Sequence, residues 1–166
     1  MAEPVEIRAA GSADAAAIAE IYNREVLEST STFDLVARSV DEQQIWLAER
    51  SGAFSAIVAA SPAGRVLGFA ALSPYKERAA YRTTVEDSVY VDRGHTGQGI
   101  GRALLEHLIG IARESGFHTV MARIEASGTA SLALHRACGF ELVGIEREVG
   151  RKFNRWLDVA VLQLLL

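Results

Sequence analysis

The sequence predicts a single mixed α/β domain over residues 1–166, with strands buried by helices. Three observations predict it. A length of 166 residues suits one domain. Hydrophobic residues make up 49% of the chain, enough for a sizeable core and too many for intrinsic disorder. The apolar patterning runs strand, two helices, three strands, helix, strand, helix, two strands, which does not alternate regularly enough for a barrel. The chain shows no internal repeat, low-complexity tract or interdomain linker.

Each element has its own signal. Val5 to Ala9 reads as a short strand. After Gly11, Ile18, Ile21, Tyr22 and Val26 form a helical stripe, with Asp14 as its N-cap. The Ser and Thr cluster in ESTSTFDLVAR breaks that stripe into a loop and strands Phe33 inside it. Ser39 opens a second helix, with Glu42 at capping-box spacing, and the helix stops near Gly52. Phe54–Ala60 and Val66–Leu72 read as a hairpin around the turn Ser61-Pro62-Ala63-Gly64. SPYKERAAYR is a loop or short helical turn, and Val85–Val91 is a strong strand. GHTGQGIG then leads into an amphipathic helix carrying Ile100, Leu104, Leu105, Leu108 and Ile111, which ends near Gly116. Val120–Ile124 is a strand. Thr129 or Ser127 caps a helix that ends at Cys138-Gly139, and Leu142–Val149 and Trp156–Leu164 are two last strands.

Composition excludes several functions. The net formal charge is −4, against general nucleic-acid binding, which leans on a basic surface. Cys138 is the single cysteine, so neither an intrachain disulfide nor a multi-thiolate zinc site is expected. His95, His107, His118 and His135 do not fall at metal-motif spacings, and no metal is expected. MAEPVEIRAAG lacks the basic and apolar regions of a signal peptide, and no apolar run reaches the length of a membrane span. A cytoplasmic protein without membrane or nucleic-acid partners is the expectation.

The centre of the sequence is DSVYVDRGHTGQGIGRALLEHLI. A strand delivers the chain to a glycine-rich turn and a helix leaves it. Glycines permit unusual backbone angles there and leave no side-chain bulk. The first-turn amides lack intrahelical partners, and the helix dipole favours an anion in front of them. A diphosphate is the ligand this predicts, with Arg102 adding charge at the rim. The Lys-Ser or Lys-Thr ending of a P-loop is missing, and the chain is short for a two-halved dinucleotide fold.

At these residues the sequence resembles the GNAT superfamily of acetyl-CoA-dependent N-acetyltransferases. More narrowly, it resembles phosphinothricin N-acetyltransferases and methionine sulfoximine or sulfone acetyltransferases. The family signature of Gln or Arg, two variable residues, Gly, a variable residue, then Gly or Ala is Thr96-Gly97-Gln98-Gly99-Ile100-Gly101 here, with Thr96 departing from it. IYNREVLESTSTFD, TTVEDSVYV, ALHRACGF and KFNRWLDVAVLQL extend the resemblance over almost the whole chain. It implies a GNAT fold, a mixed and mostly antiparallel central sheet flanked by helices. It also implies acetyl-CoA as cosubstrate, a small amino-acid-like amine as acceptor, and a homodimer.

Acetyl transfer to an amine needs proton removal, a polarised thioester carbonyl and a departing thiolate. An α-amino group with a pKa of about 8 asks only for a modest base. Glu86 matches the general base of the resembling enzymes, while Asp87 should face the other side of the strand. The resemblance implies that Val89, Tyr90 and Val91 lie along the pantetheine arm, with an amide near Val89 polarising the thioester. It implies diphosphate contacts from Thr96, Gly97, Gln98, Gly99, Ile100, Gly101 and Arg102. His135 is implied as an aid to proton transfer or a substrate contact, Ser131 as a pantetheine contact, and Arg136 as facing either the diphosphate or solvent. Gly128 stands where many relatives carry asparagine, so one cofactor hydrogen bond is expected to be missing. Cys138 reads as a buried, inert thiol. For the acceptor, Phe33 is a candidate apolar wall. Tyr75, Lys76, Arg78, Tyr81 and Arg82 cluster before Glu86, where cations beside aromatics suit a carboxylate or phosphinate. Lys152, Phe153, Asn154 and Trp156 are candidates to close the pocket against a second subunit. Rival readings are a methionine sulfone or sulfoximine acceptor, a protein N-terminus, and an acyl-CoA-binding sensor without transfer.

Overall fold

A computed structural model describes residues 4–166. Met1–Glu3, part of the segment read as no signal peptide, lie outside the described residues. The elements follow the expected order: β1 (Glu6–Ala9), α1 (Ala15–Glu28), α2 (Val40–Ala48), β2 (Ile57–Ala60), β3 (Val66–Pro74), β4 (Thr84–Val91), α3 (Ile100–Glu114), β5 (Thr119–Glu125), α4 (Thr129–Ala137), β6 (Glu141–Lys152) and β7 (Arg155–Leu165). The seven strands form one sheet in the order β1-β2-β3-β4-β5-β7-β6. Every neighbouring pair is antiparallel except β4 and β5, which run parallel. The sheet is thus mixed and mostly antiparallel, as expected. Its strand order is sequential until β7, which enters between β5 and β6.

Period-two alternation divides the core between the two faces of the sheet. Ile57, Ala59, Leu72, Val85 and Val120 meet Leu104, Leu105 and Leu108 of α3. Each of these leucines is fully buried, and burial of such a side chain contributes about 2 kcal/mol. On the opposite face Val58 and Phe69 meet Ile18, Ile21, Tyr22 and Val26 of α1. Tyr90 of β4 belongs to this second face, stacked on Phe69 and edge-on to Tyr22.

Local corrections have simple causes. Asp14 precedes α1, but its side chain does not cap that helix. Its carboxylate instead accepts from the Gly11 amide and from both Nη atoms of Arg8, which holds it below the usual carboxylate range. Ser39 and Glu42 do form the capping box of α2. The strand expected from Phe54 begins at Ile57, because Gly52–Phe54 curls into a 3-10 turn. Neither Ser127 nor Thr129 caps α4: Gly128 is the N-cap, and the Ser127 hydroxyl donates to Glu125. Phe153 and Asn154, both at positive φ, make the two-residue turn that joins β6 to β7.

Candidate active site

The site begins where β4 and β5 part. Their pairing covers Thr84–Glu86 against Thr119–Met121. Beyond it β4 continues to Val91 and β5 to Glu125. The direction of the β4 backbone follows from one hydrogen bond. Asp92 N–H donates to the Leu67 carbonyl at 2.8 Å, so in an antiparallel ladder the even-numbered residues before it also turn toward β3. Val89 and Val91 then turn their N–H and C=O groups toward the gap. A cleft of about 790 Å³ fills that gap, lined by Asp87–Val91, by Arg123–Glu125 and by the start of α3.

The glycine turn closes one end of the cleft. Gly97 and Gly99 take φ of 74° and 82°, left-handed values that strain other residues. Gly99 is the N-cap of α3 and offers no side chain to the first-turn amides, which leaves them open to a ligand. A Cβ on Gly101 would lie 3.2 Å from Leu134, so glycine permits the close approach of α3 and α4. Thr96, Gly97, Gly99, Ile100, Gly101 and Arg102 all line the cleft, and Arg102 is also paired with Glu106 at 2.7 Å. The side chain of Ile100 is buried in the core. Gln98 and Arg136 are exposed and do not line the cleft, which leaves Arg136 on the solvent side of its two expected positions.

The other end holds the ionisable groups: Asp87, Arg123 and His135 line the cleft, and Glu86 stands beside Arg123 without lining it. Glu86 and Arg123 share a face of the sheet at the point of parting, with Oε1 and Nε 3.9 Å apart. Burial pushes the Glu86 carboxyl above its ordinary range, opposed by the Arg123 charge and assisted by that of Asp87. Arg123 is held in turn by Glu146 of β6, at 2.5 Å. Asp87 faces the opposite side of the strand, as expected, and meets His135. Each carboxylate oxygen of Asp87 lies 3.1 Å from Nε2, and Nδ1 is 2.8 Å from the Ser131 carbonyl. Both ring nitrogens thus face oxygen acceptors, an arrangement that favours the doubly protonated ring. Burial opposes that charge, but the bond and charge of Asp87 outweigh it and raise the His135 pKa. His135 is 3% exposed at the wall of the cleft, with Ser131 beside it. Cys138 is half-buried rather than buried, and burial raises its thiol pKa.

The expected acceptor residues lie elsewhere. The Phe33 ring rests on Gly150 of β6, where any Cβ would collide with it, and it does not line the cleft. Tyr75, Lys76, Arg78 and Arg82 belong to the β3–β4 connection and also stay off the cleft. Tyr75 and Tyr81 meet edge-on, with the Lys76 ammonium near both rings. These side chains follow a solvent-facing loop instead of turning inward. Nor do Lys152, Phe153, Asn154 and Trp156 line the cleft. Lys152 is 5% exposed and donates to the Thr32 carbonyl at 2.9 Å. Sequence reasoning missed Arg93 and Glu25. Arg93, beside the glycine turn, reaches Glu25 at 2.8 Å and Glu28 at 2.7 Å. Glu25 also accepts from Ser29 and Ser31, so one carboxylate links the turn to the loop after α1. The signal for Arg93 was its place at the head of the turn; for Arg123 it was a charge inside an apolar strand.

A family profile described as Acetyltransferase (GNAT) domain matches residues 7–161. An L-amino acid N-acyltransferase of Escherichia coli is 40% identical over 98% of this chain and 94% of its own. An L-methionine sulfoximine/L-methionine sulfone acetyltransferase of Pseudomonas paraeruginosa is 40% identical over 95% of this chain and 92% of its own. Among solved structures, a GNAT superfamily phosphinothricin acetyltransferase of Sinorhizobium meliloti in complex with acetyl-CoA superposes with a TM-score of 0.93. It shares 39% identity over 98% of this chain and 88% of its own.

Proposed function

The chain belongs to the GNAT acetyltransferase family, and on that footing we propose that it acetylates the free amine of a small amino acid or analogue, foremost one of phosphinothricin type. It is an N-acetyltransferase with acetyl-CoA as cosubstrate. The residues fit that group. The open amides at the start of α3 suit a diphosphate, and the free edge of β4 suits an extended amide-bearing arm. The observation that carries the reading is Glu86 standing where that edge begins.

When bound, acetyl-CoA supplies a thioester whose C–S bond breaks as the acceptor nitrogen bonds the carbonyl carbon, with CoA leaving as thiolate. Glu86 accepts the amine's proton, directly or through a water, and its burial makes it a better base than an exposed carboxylate. Val89 directs its N–H at the gap, a fixed donor for negative charge developing on a carbonyl oxygen. His135 keeps both ring nitrogens against Asp87 and Ser131, so its part is to fix α4 against β4. The exposed face of β6, with Val143 and Ile145, supports self-association as a homodimer. Acetyl-CoA drawn from inside the cell supports activity in the cytoplasm.

Methionine sulfone or sulfoximine is the second acceptor reading, favoured by the name of the Pseudomonas relative. A thiol-release screen with acetyl-CoA decides among acceptors. Its panel is L-phosphinothricin, methionine sulfone, methionine sulfoximine, the common L-amino acids and short peptides. Turnover of phosphinothricin above the sulfur analogues is expected. Peptides preferred over every small amino acid would overturn the reading, and acetyl-CoA binding without turnover of any amine would favour a sensor.

A further inference from the structure

Among the described residues, three arginines line the cleft: Arg93, Arg102 and Arg123. Arg93 and Arg102 flank the glycine turn and are paired with glutamates there. Arg123 is the one that stands beside Glu86. The two side chains project from adjacent strands onto one face, and their charges are 3.9 Å apart, beyond a hydrogen bond. Their order along β5 explains this: Met121 is the register partner of Glu86, and Arg123 follows two residues later on the same face.

A free α-amino acid carries its ammonium and carboxylate on one carbon, with the charges roughly 3 Å apart. A negative and a positive side chain at nearly that spacing form its complement. We propose that Arg123 receives the carboxylate of the acceptor amino acid while Glu86 receives its amine. The assignment rests on the amino-acid reading above and deepens it. Seating the zwitterion exchanges one long ion pair for two closer ones and adds no net charge to the site. Glu146 holds one end of the guanidinium, so the fork is fixed before the acceptor arrives, and Arg123 remains partly exposed to the cleft. A peptide N-terminus has an amide where the free amino acid has its carboxylate, so Arg123 selects against peptides. The loop cations Lys76, Arg78 and Arg82 do not line the cleft, and unlike Glu86, which also stands off the lining, none of them is paired, among the described residues, with a residue that does.

The test compares kcat/KM for L-phosphinothricin, methionine sulfone and methionine sulfoximine with their α-carboxamides, in the parent, Arg123→Ala, Arg123→Lys and Arg82→Ala. Arg123→Ala should lose roughly 10- to 100-fold on the acids, in line with a bond between charged groups, and far less on the amides. Arg123→Lys should recover part of the loss, since lysine keeps the charge but not the fork. The amide arm still needs Glu86, so it separates loss of a carboxylate contact from disturbance of the base. Acetyl-CoA affinity, measured by calorimetry, should stay unchanged and certifies the folded cleft. If the parent acetylates free amino acids but Arg123→Ala loses equally on acids and amides, the amino-acid reading stands and the assignment falls. The assignment also falls if the acid-selective loss appears in Arg82→Ala instead. If the parent acetylates peptides and no free amino acid, both fall together.

Discussion

Both ring nitrogens of His135 face oxygen partners inside the protein, which ties its charge to pH. Its pKa is raised by Asp87 against the opposing effect of burial. A raised folded pKa contributes stability in full below the unfolded value of about 6.5, and this is lost as pH climbs through the folded value. Melting temperature should therefore fall on the alkaline side. His135→Gln should remove that slope and cost about 3 kcal/mol at the acid end, where it leaves Asp87 buried without its cation. Parallel melting curves for parent and variant from about pH 6 to 9 would contradict the pairing. Glu86 has the opposite sense: its carboxyl must be ionised to act, so the rate should drop as pH falls through a value displaced upward by burial. Glu86→Gln should lower kcat about 100-fold or more and erase that acid limb, with acetyl-CoA affinity nearly unchanged. A parent-like pH profile would remove Glu86 as the base. The types of these residues were legible in the sequence, and so was the opposite facing of Glu86 and Asp87. The partner of His135 was not, because it is 48 residues away and nothing local encodes the contact.

The strand–turn–helix unit around the glycines was the most legible element, since local backbone demand and residue type agree there. Gly99→Val should cost about 1–2 kcal/mol for the left-handed backbone angle and weaken acetyl-CoA binding, because it disturbs the first-turn amides. Thermal melting and calorimetry on the folded variant measure the two effects, and undiminished affinity would remove the anion from this turn. The β3–β4 connection was less legible. Its aromatic and basic composition pointed to an acceptor site, yet Tyr75, Tyr81 and Lys76 satisfy one another on the surface. Composition reports what a loop can bind and says nothing of the way it turns. The same limit hid Arg123, whose meaning depends on two strands parting beyond Glu86.

At the scale of the molecule, helical and strand periodicity gave the element order, while the pairing of distant strands was out of its reach. β6 lies at the sheet edge and exposes Val143 at 60% and Ile145 at 48%. Val143→Glu should shift the sedimentation coefficient from dimer to monomer, and a parent that sediments as a monomer would dispose of the homodimer. The placement of β7 has a further consequence, for the history of each newly made chain. β6 is synthesised before β7, yet its partner in the sheet is β7. As the polypeptide leaves the ribosome, β6 must wait, with Glu146 and Lys152 not yet anchored to the older part of the molecule. A premature stop before Arg155 would therefore remove the seam that joins β5 to β6, and with it the support behind Arg123. A nascent chain arrested at that point holds Glu86, its whole glycine turn and every residue that lines the cleft, and still lacks the sheet seam that sets Glu146 against Arg123.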